Sequence, residues 1–142
     1  MGCDIHLHIE VKISGKWEHW AAPTVSRYYP LFALMGNIRN SNGIKALSNK
    51  RGLPEDITEV TRFVSKCEAG HGHSWLNSEE ISVLTDRIDK LARPEIRNYF
   101  CFEQEFLHSS WFLGNSFASF HKQTATYPKE IEDVRFVFWF DS

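Results

Sequence analysis

Residues 3 to 12 read Cys-Asp-Ile-His-Leu-His-Ile-Glu-Val-Lys, an unbroken alternation of apolar and polar side chains. Side chains on a strand alternate between faces, so this run folds as a strand with Cys3, Ile5, Leu7, Ile9 and Val11 toward a core. The opposite face then lines up Asp4, His6, His8, Glu10 and Lys12. Same-face neighbours sit roughly 6.5–7 Å apart. That stride is too long for a direct hydrogen bond, but it suits two groups converging on one substrate or one metal. A merely solvated face more often carries Lys, Thr, Glu and Ser than two His beside an Asp, so a site explains these residue types better.

The rest of the chain supplies partners for that strand. Ser14-Gly15-Lys16 is a turn signal and Trp17-Glu18-His19-Trp20 is β-like, which predicts a hairpin of residues 3–13 and 16–22 ending at Pro23. Leu31–Met35 reads as a short buried helix with Pro30 at its first position, closing at Gly36. Residues 37–56 are rich in Asn, Ser, Gly and Lys, and read as a long loop, functional or mobile, holding Arg51-Gly52-Leu53-Pro54. Asp56 with Glu59 resembles a capping box, followed by Ile57, Val60, Val64 and Cys67 at helical spacing up to Gly70. A second helix is signalled by Asn77 with Glu80, a staple of Leu76 onto Ile81, and the stripe Ile81, Leu84, Ile88 and Leu91; Pro94 ends it. Residues 95–123 are aromatic-rich, with helical character expected around 104–122. Val134–Phe140 is almost wholly apolar and reads as a central strand covered on both faces. Together these predict one α+β domain over residues 1–142. Its small, largely antiparallel sheet joins the N-terminal hairpin to the C-terminal central strand, with helices packed on one side.

Charge and cysteine usage narrow the function. A formal net charge of −2 argues against duplex nucleic acid, which needs a basic footprint, and leaves room for a small anionic ligand held by a few placed side chains. The aromatic fraction of 14% could serve stacking on a nucleobase as well as a core. Cys3, Cys67 and Cys101 form no Cys-x-x-Cys pair and read as small hydrophobes in a reducing cytosol. With no secretory signal at the N-terminus and no apolar run of 18 residues, the expectation is a soluble cytoplasmic protein that does not engage membranes.

The chemistry concentrates in histidine. Ala69-Gly70-His71-Gly72-His73-Ser74-Trp75 reads as a glycine-flanked loop ahead of a capped helix, and four of the seven His fall in two His-x-His motifs, His6/His8 and His71/His73. One chemistry open to them is a metal centre. Asp4, His6, His8 and His73 could ligate a divalent Zn, Mn or Fe whose bound water becomes the nucleophile. The other is metal-free, with one imidazole removing a proton and another donating one across a phosphodiester. Either way His6, His8, His71 and His73 are the candidate catalytic residues. Arg51 and Arg39 are candidates for gripping phosphate. Trp75 and Tyr29 (or Tyr28) could stack a base, and Asp141, at the end of the last strand, could orient a ligand.

The segments Gly2-Cys3-Asp4-Ile5-His6-Leu7-His8-Ile9-Glu10, Tyr29 to Phe32, Arg51-Gly52-Leu53-Pro54-Glu55-Asp56, His71 to Leu76 and Val137 to Asp141 resemble a family of small proteins encoded mainly by bacteriophages and prophages. The resemblance spans nearly the whole chain, with Gly-Cys-Asp-Ile-His as its most specific element. It implies a phage accessory protein acting in the cytoplasm of the infected bacterium. Small phage proteins with a polar pocket resemble counter-defence factors of the anti-CBASS or anti-Thoeris type. The expectation is therefore a phosphodiesterase-like hydrolase acting on a small cyclic nucleotide of host immunity. Two rivals remain: a sponge that sequesters the nucleotide intact, often as a homo-oligomer, and an inhibitor that binds a host defence protein through exposed aromatics.

Overall fold

The computed structural model describes residues 2–25, 27–91 and 131–142. The alternating segment is β1 (Asp4–Ile13). Ser14 and Gly15 both take positive φ, 51° and 78°, and return the chain antiparallel as β2 (Lys16–Ala21). Two such residues make the mirror-image turn whose twist suits a tight hairpin. The C-terminal strand, β4 (Ile131–Asp141), pairs antiparallel with β1 on one side and β3 (His71–Leu76) on the other, giving the order β2-β1-β4-β3. The expected α+β architecture, with the terminal strand central and beside the hairpin, is what the chain forms.

The apolar face of β1 meets Val134, Phe136, Phe138 and Phe140 of β4, all buried. Onto this face pack α1 (Tyr29–Gly36), with Leu31, Phe32, Leu34 and Met35, and α3 (Ser78–Leu91), with Ile81 and Leu84. Pro30 stands in the first turn of α1, as its fixed φ favours. Gly36 ends the helix so close to the sheet that a Cβ there would lie 3.0 Å from the Phe138 ring. The Asn77–Glu80 capping box forms reciprocally: Glu80 N–H donates to Asn77 Oδ1 at 2.9 Å, and Asn77 N–H to Glu80 Oε1 at 3.0 Å. Ile88 and Leu91 of the expected stripe, and the helical character expected around 104–122, lie outside the described side chains and residues.

Three expectations need correction. His71–His73 do not form a loop but begin the edge strand β3; Gly72, at φ +66°, is taken up in a bulge between His71 and Ser74. Asp56 does not cap the next helix. α2 (Glu59–Cys67) begins after Thr58, whose side chain accepts the Thr61 N–H, while Asp56 is drawn away to Arg135. The apolar spacing of α2 does not mark its buried side either. Thr61 is fully buried, whereas Val60 is 50% and Phe63 69% exposed. The reason is the surface on which α2 sits. It lies over the polar face of β1, where Glu10 accepts hydrogen bonds from the Thr58 N–H and from the Thr58 and Thr61 hydroxyls.

The 37–56 segment is tied down at its end. A chain of hydroxyls runs from Ser74 to Ser48 (2.8 Å) and on to the Met35 carbonyl (2.7 Å). Gly52 N–H donates to the His73 carbonyl at 2.9 Å, which covers part of the edge that β3 would otherwise present.

Candidate active site

In the β1–β4 register Asp4 faces Asp141, His6 faces Trp139, His8 faces Val137 and Glu10 faces Arg135. The polar face of β1 therefore continues across β4. Its centre is Trp139, fully buried, with three imidazoles stacked against it. His8 lies 5.0 Å from its ring at 14°, His73 5.6 Å at 22°, and His6 5.9 Å at 17°. His6, His8 and His73 are thus brought to one surface, one member of the second His-x-His motif joining both of the first. His6 and His73 are not direct neighbours, since their strands flank β4, a span of roughly 10 Å at the usual strand spacing. His71 stands apart, exposed at the sheet edge, where its Nε2 meets the Ser142 hydroxyl at 3.0 Å.

His6 sits between two carboxylates. Its Nε2 is hydrogen-bonded to Asp141 Oδ2. Its Nδ1 lies 2.9 Å from Glu68 Oε2, within ion-pair range but without hydrogen-bond alignment, so that buried oxygen retains an open acceptor. A carboxylate thus faces each ring nitrogen of His6. Asp141, expected to orient a ligand, instead meets His6. Glu68, the first residue after α2, has no local sequence signal; only the seating of α2 on this face brings it in.

The neighbouring imidazoles are held differently. His8 Nδ1 meets His19 Nε2 at 3.0 Å, a pair in which one ring must accept. Burial, helped by His19 alongside, pushes the His8 pKa down to about 4, and burial lowers His19 as well. His73 is lowered by burial and by His71. His8 is therefore a neutral imidazole across the physiological range, one strand stride from His6. Both line a cavity of about 500 Å³ together with Asp4, Glu68, Val64 and the segment Ala22–Val25. His19 and Trp139 were missed at the sequence level. Alternation alone would put Trp139 and Asp141 on one face of β4, but nothing local says which face meets His6.

Several other candidates have different occupations. Arg51 does not wait for a phosphate: its guanidinium forks onto both carboxylate oxygens of Glu80 and donates to the carbonyls of Leu47 and Trp75, at 3.0 Å each. Burial opposes charge on Glu80, but the Arg51 fork and the Asn77 N–H together hold its carboxyl below the usual range. Trp75 lies under that guanidinium, 5.1 Å from the ring centroid. The Tyr29 hydroxyl accepts the Cys3 N–H, and Arg39 lies over its ring. Asp4 is gripped bidentately by Arg27, whose hydrogen bonds lower its pKa. With Asp4 so held and His8 turned to His19, the Asp4, His6, His8 and His73 donors are not gathered into one shell. Among the described residues no three His, Cys, Asp or Glu side chains are grouped to hold a metal ion.

No protein-family model, no curated protein and no solved structure matches this chain.

Proposed function

We propose that the cavity over His6 and His8 is the active site of a hydrolase that cleaves a phosphodiester of a small nucleotide by imidazole acid–base chemistry. The observation that carries this reading is the contrast between two adjacent imidazoles. His6 stands with a carboxylate toward each ring nitrogen, Asp141 and Glu68, while His8, paired with His19, is kept neutral by burial. Neighbouring groups set in contrasting surroundings are the natural candidates for an acid and a base. In this scheme His8 takes the proton of the attacking hydroxyl, from water or a ribose, as its oxygen bonds to phosphorus. His6 passes its Nδ1 proton to the leaving oxygen as the second P–O bond breaks. Asp141 holds His6 in orientation. The resemblance to phage-encoded proteins supports a cyclic nucleotide immune messenger as the substrate, in the cytoplasm of the infected cell. Among the described residues, no helix is long and apolar enough to cross a membrane.

One observation favours a second reading. An imidazole with a pKa near 4 is a weak base, and a site with a weak base could hold a nucleotide without cleaving it. Incubation with a panel of cyclic nucleotides, followed by heat denaturation and chromatography, separates the two. New products support the hydrolase, intact released ligand supports sequestration, and neither result removes the nucleotide from both. For the hydrolase, His6→Gln should lower kcat by about 10²–10⁴-fold, the usual contribution of a positioned acid, with an unchanged fold by circular dichroism. The acid limb of the rate profile should fall near pH 4 rather than near the ordinary histidine value.

A further inference from the structure

We infer that the outward face of α2 is a self-association surface, on which a second copy of this chain docks its own α2 antiparallel about a two-fold axis at Phe63. The inference is independent of the reaction proposed above. Val60, Phe63 and Cys67 recur at i, i+3 and i+7, which puts them on one side of the helix. That side faces solvent: Phe63 is 69% exposed, Val60 50%, and Cys67 is exposed. A helix on a soluble surface ordinarily turns such a stripe inward. Here the inward side is polar, because Thr58 and Thr61 bond Glu10 and Glu68 approaches His6. The apolar stripe is left over, and a contiguous exposed patch of this kind marks an interaction site.

Charge selects the occupant. Glu59 opens α2 and Lys66 stands in its last turn. Antiparallel pairing about Phe63 sets Glu59 of each copy beside Lys66 of the other, whereas parallel pairing would set like charges together. Two-fold contacts are self-complementary in this way. Val64, which lines the cavity, follows Phe63 directly on the same helix, so a docked copy would lie beside the site. A nine-residue helix offers a small contact area, which puts the dimer in the weak, micromolar class.

Sedimentation of the full chain from low micromolar to near-millimolar concentration tests this. The wild type should pass from monomer to dimer, and Phe63→Glu should weaken the dimer by at least about 30-fold, the effect of losing a hot-spot side chain. A wild type that stays monomeric, or a dimer indifferent to Phe63→Glu, overturns the proposal. Phe63 is exposed, so the variant is expected to fold, and crosslinking gives a second reading that does not depend on it. Phe63→Cys, in a background of Cys67→Ser and Cys101→Ser, should form a disulfide-linked dimer on mild oxidation. A chain keeping Cys67 but carrying Cys101→Ser should not, since antiparallel pairing holds the two Cys67 about 12 Å apart along the helix axis. Linkage through Cys67 instead would overturn the antiparallel register.

Discussion

The two ends of the polar sheet face are built from the same kinds of residue and put to different uses. At one end Glu10, fully buried, meets Arg135 at 2.7 Å, and Arg135 in turn reaches Asp56 at 2.7 Å and stacks 4.0 Å over Trp17. Thr58 and Thr61 fill the remaining acceptor positions of Glu10. A cavity of about 510 Å³ opens beside this end too, lined in part by Trp17, Asp56 and Arg135, but the charged groups there are already paired with one another. At the other end His6 and Glu68 line an open cavity, and among the described residues Glu68 Oε2 is left without an aligned donor and the buried Trp139 Nε1 without a hydrogen-bond partner. A fully paired network rigidifies a fold. An incompletely paired one beside a cavity is where a ligand can still be recognised. The charged row on β1 is thus half scaffold and half candidate site, and the seating of α2 draws the line between them.

The largest expected effect lies at the fully paired end. Glu10→Ala strips Arg135 of its buried partner, and breaking a buried pair from one side typically costs about 3–5 kcal/mol. Urea denaturation should show that loss. A change under about 1 kcal/mol would mean that the two ends do not differ as described.

The next effect concerns pH at the open end. His8 binds a proton near pH 4 when folded and near 6.5 when unfolded, so as the pH falls the unfolded chain takes up the proton first. Stability is full above about 6.5 and declines toward 4, by about 3 kcal/mol for the whole interval. His19 and His73, both lowered, act in the same direction. His8→Phe should flatten the slope of unfolding free energy between pH 6.5 and 4, whatever it does to stability at pH 7. An unaltered slope would show that His8 titrates freely and would remove the proposed base.

Arg51→Ala tests the boundary between scaffold and site. Its fork onto Glu80 is about one-third exposed, so the loss should be about 1–2 kcal/mol, less than for a buried charged hydrogen bond. Nucleotide handling should be unaffected, which reverses what a free phosphate-gripping arginine in a loose loop would do. Weakened ligand affinity with unchanged stability would return Arg51 to the site.

How far the sequence speaks for itself follows from the range of the forces involved. The β1 alternation, the Ser14-Gly15 turn, the Pro30 helix start and the Asn77–Glu80 box are local, and each is where the residues put it. The misread segments were decided at long range. His71–His73 carry glycines that look like a loop, yet hydrogen bonds to a strand more than sixty residues away make them β3. Asp56 resembled a cap until Arg135 claimed it, and α2 turned its apolar stripe outward because Glu10 had already set a polar seat. In the site, the concentration of histidine was legible, but Glu68, His19 and Trp139 become visible only once strands and helix are stacked.

The smallest effect belongs to Asp4, and it discriminates between chemistries. Asp4 and Arg27 form a half-exposed pair, and exposed pairs contribute little to stability, so Asp4→Asn should leave the melting curve where it is. If a divalent metal sat on Asp4, His6, His8 and His73, the same substitution would remove a ligand, and catalysis would fall as far as it does for His6→Gln. In metal-free chemistry Asp4 only borders the cavity, while Asp141 and Glu68 hold the reacting imidazole. Asp4→Asn should then cost far less activity than His6→Gln, and chelation should cost none. Equal losses in the two variants, together with inactivation by chelator, would assign the row on β1 to a metal and end its description as an acid–base pair.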